Sequence, residues 1–117
     1  MNEPEFAPSR ILDAREFVAM TREILDPESV ARERAADEVT DLLSSYSSTQ
    51  VSTLATLLSA VAACEKGNSA LEAELHAILE LMSTGHVAFG HVAQLQDIRL
   101  KELSPELREY VTDLLDG

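Results

Sequence analysis

Tryptophan is absent from this sequence, cysteine occurs once, and glycine and proline occur four times each. With Cys64 alone, no internal disulfide can form, so a packed core must hold the fold and a reducing compartment fits best. So few glycines leave little material for a phosphate-cradling loop, and neither that motif nor a Gly-x-Ser-x-Gly nucleophile elbow occurs. Cations are scarce as well. Nine Lys and Arg face 21 Asp and Glu, giving a net charge of −12 and a pI near 4.5. That balance excludes binding to a phosphate backbone as a main activity. Long apolar runs are also missing. The most apolar uncharged stretch, Val51 to Cys64, carries several Ser and Thr and falls short of the ~20 residues that span a bilayer. The acidic start, Met1-Asn2-Glu3-Pro4-Glu5, has neither the basic nor the apolar segment of a signal peptide, so a cytoplasmic protein with no membrane partner is expected.

What remains is ordinary globular material. The 117 residues are 45% hydrophobic and 26% charged, which suits one domain over 1–117 with its own core. Residues 1–12 read as an arm whose Phe6, Ile11 and Leu12 are candidates to dock on the body. Asp13 with Glu16 forms a capping box and opens a helix over 13–25, with Ala14, Phe17, Val18, Thr21, Ile24 and Leu25 on its apolar face. Asp26-Pro27 ends it and starts a helix to Tyr46, with the stripe Ala31, Ala35, Val39, Leu42, Leu43, Tyr46. After a Ser47-Ser48-Thr49 turn, a third helix to Glu65 carries Leu54, Leu57, Leu58 and Val61 and is expected to be the most buried. Gly67 is expected in a left-handed C-cap. Ser69 with Glu72 reads as a second capping box, before the stripe Leu71, Leu75, Ile78, Leu79, Met82. A weaker helix over 86–97 contains Gly90, and Ser104-Pro105 opens a last helix with Leu107, Val111, Leu114 and Leu115. No segment alternates as a strand would, so the class is all-α.

The apolar stripes recur at a fixed period. Ala35, Val39, Leu42, Leu43 return 36 residues later as Leu71, Leu75, Ile78, Leu79, and 36 later again as Leu107, Val111, Leu114, Leu115. Val51 and Val87 keep the same spacing. Equal separation implies one helical hairpin per ~36 residues, the pattern of an α-solenoid. An irregular six-helix bundle is the alternative. The chain lacks the Trp and Leu-Gly of tetratricopeptide repeats and the Thr-Pro-Leu-His of ankyrin repeats, so a short right-handed HEAT-like stack is expected. Its pairs are 28–66 and 69–98, with 13–25 as a capping helix and 104–117 as a half repeat.

The charge is uneven. Between Ala35 and Ile98 the only Lys or Arg is Lys66, whereas Asp37, Glu38, Asp41, Glu65, Glu72, Glu74, Glu80 and Asp97 all lie there. Glu33, Asp37 and Asp41 stack at i,i+4 spacing, as do Glu72, His76 and Glu80. Like charges one turn apart cost a few tenths of a kcal/mol each. The bland reading is a solvating surface. The functional reading is a surface for a basic partner, formed by Asp37, Glu38, Asp41, Glu72, His76, Glu80 and Asp97.

Chemistry-bearing patterns are few. His86 and His91 are poorly spaced for one metal, and His76 between Glu72 and Glu80 needs a further ligand from elsewhere, so no metal or cofactor is expected. Cys64, at the end of an apolar helix, reads as a buried structural thiol. Tyr46, Phe17 and Phe6 read as core, whereas Tyr110 and Phe89 are candidate interface anchors. Carboxylate pairs are too common to single out an acid–base couple, and no enzyme is expected.

The Arg32 to Leu43 helix, the Ala70 to Met82 helix with Thr84-Gly85-His86-Val87, and the Leu103-Ser104-Pro105-Glu106-Leu107 helix start together resemble HEAT-like immunity proteins of actinobacteria. The resemblance covers most of the chain through motifs of low specificity. It implies an inhibitor that binds a cognate toxin domain directly, many such toxins being basic nucleases. A chain that is monomeric apart from that complex and free of cofactor is expected. It carries over no interface residue. A helical adaptor is the alternative in another functional class.

Overall fold

A computed structural model describes residues 11–98 and 103–116. Residues 1–10 of the expected 1–12 arm, with Phe6, and the closing Gly117 lie outside the described residues. The fold is all-helical. Its α-helices are α1 (Ala14–Ile24), α2 (Ser29–Asp41), α3 (Ser48–Cys64), α4 (Asn68–Met82), α5 (Phe89–Val92) and α6 (Pro105–Asp116). Among the described residues, two 3-10 turns, Leu43–Ser45 and Ala93–Asp97, complete the order.

Capping chemistry places several starts. Asp13 accepts from the Glu16 amide at 2.8 Å while Glu16 accepts from the Asp13 amide at 3.1 Å, the reciprocal box expected there. Ser47 and Gln50 make the same pair for α3, at 3.1 and 3.0 Å. The Gln50 amide group also donates to the Leu12 carbonyl, and the Leu12 amide donates to Ser45, which seats buried Leu12 on the body. Its neighbour Ile11 stays exposed.

Several local expectations change. Pro27 precedes α2, because Asp26 accepts from the Glu28 amide and postpones the first helical residue to Ser29. The second helix ends at Asp41, not Tyr46. The chain tightens into a 3-10 turn, and the Tyr46 hydroxyl donates to the Val39 carbonyl at 2.9 Å, satisfying an acceptor freed at the helix end. Gly67 has φ −87° and stands at the N-terminus of α4. Its lack of a side chain matters for space, since a Cβ there would lie 3.1 Å from that of Ser29. The left-handed residue is Gly85, at φ 83°, which turns the chain after α4. Ser69 is inside α4, so the expected box with Glu72 does not form. The expected helix over 86–97 shortens to the single turn of α5 and the second 3-10 turn. Gly90 weakens helix there, and His91 Nδ1 accepts from the Ala88 amide at 2.8 Å instead.

Packing follows the 36-residue period. α4 lies between α2 and α6 in one layer, while α3 packs on α5 and the second 3-10 turn in the other. α1 closes one end against α2 and α3. Equivalent stripe positions are buried in each turn of the period: Ala35 and Val39, Leu71, Leu75 and Ile78, then Leu107, Val111 and Leu114. The fourth position is looser, with Leu43 and Leu115 half-buried and Leu79 exposed. On α1, Met20 and Ile24 form the inner face, and Val18 and Leu25 point to solvent. The most buried helix is α4, not α3, because it lies between α2 and α6 with α3 across its inner face. Cys64 ends α3 on its outer side and is exposed, so it is not a core thiol.

Candidate functional site

The carboxylates singled out in the sequence separate into three places. Asp37 of α2 and Glu72 and His76 of α4 come together in a groove of about 240 Å³, lined also by Glu33, Ser69, Ala73 and Tyr110. A second groove, about 350 Å³, runs between α4 and α6 and is lined by Glu72, Leu79, Glu106, Glu109, Tyr110 and Asp113. Glu72 and Tyr110 belong to both, so the two form one trough across the layer of α2, α4 and α6. Six carboxylates line it and no lining residue is Lys or Arg. Tyr110, half-buried, meets His76 edge-on, with ring centroids 6.4 Å apart and planes at 81°. His76 Nε2 is 3.9 Å from a Glu80 carboxylate oxygen, at the edge of ion-pair range. The trough therefore offers negative charge around an aromatic floor, a surface suited to a cationic side chain.

Glu38 and Asp41 lie elsewhere, in an open groove between α1 and α2 that also holds Glu23, Asp26, Arg34 and Asp37. Partial burial, then repulsion and hydrogen bonding by Glu23, then repulsion by Asp41, raise the pKa of Glu38. Burial first, and then the negative field of Glu38 and Asp41, push the Tyr46 hydroxyl above the ordinary tyrosine range. Asp97 is remote from both, in a groove beside Cys64, Lys66 and Asn68.

Two of the acidic residues counted toward the surface are interior. The Glu65 side chain is fully buried and forms a two-point pair with Arg32: Nε at 2.7 Å and Nη2 at 2.8 Å. It also accepts from the amides of Lys66 at 3.1 Å and Gly67 at 2.9 Å, at the positive end of α4. Arg32 Nη1 donates to the carbonyls of Asp26 and Pro27, both at 2.8 Å. One guanidinium thus joins the α1–α2 turn, α2 and the end of α3. The Glu65 hydrogen bond is the main cause of a raised Arg32 pKa. Burial alone would raise the Glu65 pKa, but hydrogen bonds from Arg32, Glu74 and the Gly67 amide hold it down at about 2. Glu74 is fully buried beside it. Burial first, and then the hydrogen bond and charge of Glu65, push Glu74 up to about 9. The buried site thus favours the neutral form of Glu74.

The helical period places this interior cluster. Glu74 falls among Leu71, Leu75 and Ile78, and Arg32 precedes Ala35, Ala36 and Val39 at helical spacing, so both lie on buried stripes. Counting Glu74 toward the acidic surface overlooked that register. Tyr110 stood among the candidate anchors. Glu106, Glu109 and Asp113 were not among the candidates, because only the apposition of α6 and α4 brings them to Glu72.

Among the described residues, no group of three or more His, Cys, Asp or Glu is placed to hold a metal ion, and no helix is long and apolar enough to cross a membrane. No protein-family model, curated protein or solved structure matches this chain.

Proposed function

We propose that this protein works by binding, and that the trough across α2, α4 and α6 receives a basic protein partner. The observation that carries this reading is the trough itself: six carboxylates around Tyr110 and His76, with no lining cation. The groove between α1 and α2 is less suited, since Arg34 lines it and no aromatic residue does. Uncompensated charge of one sign speeds encounter with a partner of the other and rejects acidic competitors. Tyr110 supplies the flat, partly apolar contact that anchors interfaces. The partner chemistry is an Arg- or Lys-rich surface. A toxin domain neutralised one-to-one, as the sequence resemblance to immunity proteins implies, is the specific form we favour. The cytoplasm, where such inhibitors act on their targets, is the expected location.

The test is association kinetics with the captured partner. Reversing the trough residues Asp37, Glu72, Glu106 and Glu109 to Lys should slow association at least tenfold at low salt and leave helicity unchanged. Added salt should narrow the difference as the Debye length falls to ~3 Å near 1 M. Unchanged association at low salt would remove the electrostatic basis of the reading. Recovery of several unrelated proteins in one assembly would favour the adaptor alternative.

A further inference from the structure

Two residues along α4 from Glu72, Glu74 points the opposite way, into the interior. It is fully buried, and neither carboxyl oxygen accepts a hydrogen bond from any N–H or hydroxyl group. Its neighbours one turn away along the helix, Ala70, Leu71, Ala77 and Ile78, are all apolar and buried. The charged groups of α4 itself, Glu72, His76 and Glu80, lie on its outer side. From α3, Glu65 faces Glu74, and from α2, Arg32 does. Asp26, on the α1–α2 turn, acts on Arg32. From α6, Tyr110 meets His76 on the outer side instead. The cluster thus holds two carboxyl groups and one guanidinium. Arg32 is committed to Glu65, whose oxygens also serve two backbone amides. Neutrality, and a partner for Glu74, both require one proton. A proton on Glu74 supplies a donor for Glu65, which is already paired with Arg32, so the three can act as one chain.

We propose that this chain is a proton-held latch: neutral Glu74 fastens α4 to the end of α3 and, through Arg32, to α2, and its ionisation loosens α4 together with the trough it carries. A second negative charge there faces Glu65 with no donor to satisfy it. The midpoint lies well above the ordinary carboxyl range, so the latch is closed at neutral pH.

The experiment is carbon-13 NMR of the glutamate carboxyl groups from pH 3 to 10, on the full chain and on Glu74→Gln. One carboxyl titrating above pH 7 is expected, absent from the variant, and accompanied by shifts of the Gly67 and α4 amides with the same midpoint. Between pH 7 and 10, wild-type α4 amides should lose at least tenfold in hydrogen-exchange protection after correction for intrinsic rates. Glu74→Gln, which cannot ionise and can still donate to Glu65, should keep it. If every glutamate titrates below pH 6, the proposal fails. It fails equally if Glu74 titrates above 7 without moving the α4 amides. Should Glu74→Gln not fold, the wild-type titration and its amide midpoints decide alone.

Discussion

Replacing Arg32 by Met keeps an unbranched apolar stem but removes the charge that Glu65 is built around. The consequence is calculable. Glu65 falls from its ordinary 4.5 to about 2 in the folded state, and its side chain is fully buried. A depression of that size corresponds to about 3 kcal/mol of stability at neutral pH, at 1.36 kcal/mol per unit. Because the pKa is lowered, this stability is present above 4.5 and is lost as pH falls toward 2. Arg32→Met removes most of it and leaves Glu65 as a buried charge served only by the backbone amides of Lys66 and Gly67. Breaking a buried pair from one side costs about 3–5 kcal/mol in general. A small domain has only about 5–15 kcal/mol in total, so the loss should be large but measurable. The assay is urea unfolding followed by far-ultraviolet circular dichroism, at pH 7 and pH 3. The variant should be about 3–4 kcal/mol less stable at pH 7, and the gap should shrink at pH 3 as Glu65 takes a proton in the unfolded chain. A loss below about 1 kcal/mol at pH 7, or an equal loss at both pH values, would refute the role given to Arg32.

Other outcomes are as specific. The stability of Glu74→Gln relative to wild type should rise by about 1.4 kcal/mol per pH unit between pH 6 and 8 in the same assay, because the raised Glu74 pKa makes wild-type stability fall as pH rises through that window. Gly85→Ala should cost about 1–2 kcal/mol in thermal unfolding, since φ at that position is 83° and open space cannot relieve the strain. Gly90→Ala, with nothing near its Cβ and an ordinary φ, should gain up to about 1 kcal/mol by the same measurement. Cys64, being exposed, should react with a thiol reagent in the native protein as fast as in the unfolded one.

The helical class and the recurring stripe were legible because both are written in apolar spacing. Leu71, Leu75 and Ile78, and their counterparts 36 residues either side, with Leu42 half-buried as the exception, occupy the buried face that a 3.6-residue period assigns them. Helix ends were less legible, because competing local hydrogen bonds decide them. Asp26 displaced the start of α2, and Tyr46 left its helix to reach the Val39 carbonyl. Gly67 stands before α4 because Ser29 lies against it, a tertiary fact invisible in the local sequence. For the candidate site, Asp37, Glu72 and His76 were legible as one-sided helix charge, and the structure brings them together. The charge deficit across 35–98 had no depth to it as sequence. Glu65 and Glu74 counted toward it equally with Glu72, although one is neutralised by Arg32 and the other by a proton. The acidic residues of α6 complete the trough only through packing, and no spacing along the chain announces that.

The most direct test of the binding account compares two double reversals of equal charge in capturing the partner from the source lysate at low salt. Glu72→Lys with Glu109→Lys lies in the trough, whereas Glu38→Lys with Asp97→Lys lies outside it. The account predicts that the wild type and the outer variant each retain the same single basic protein at one-to-one stoichiometry and that the trough variant loses it. Equal retention by both variants, or loss by the outer variant alone, would contradict it.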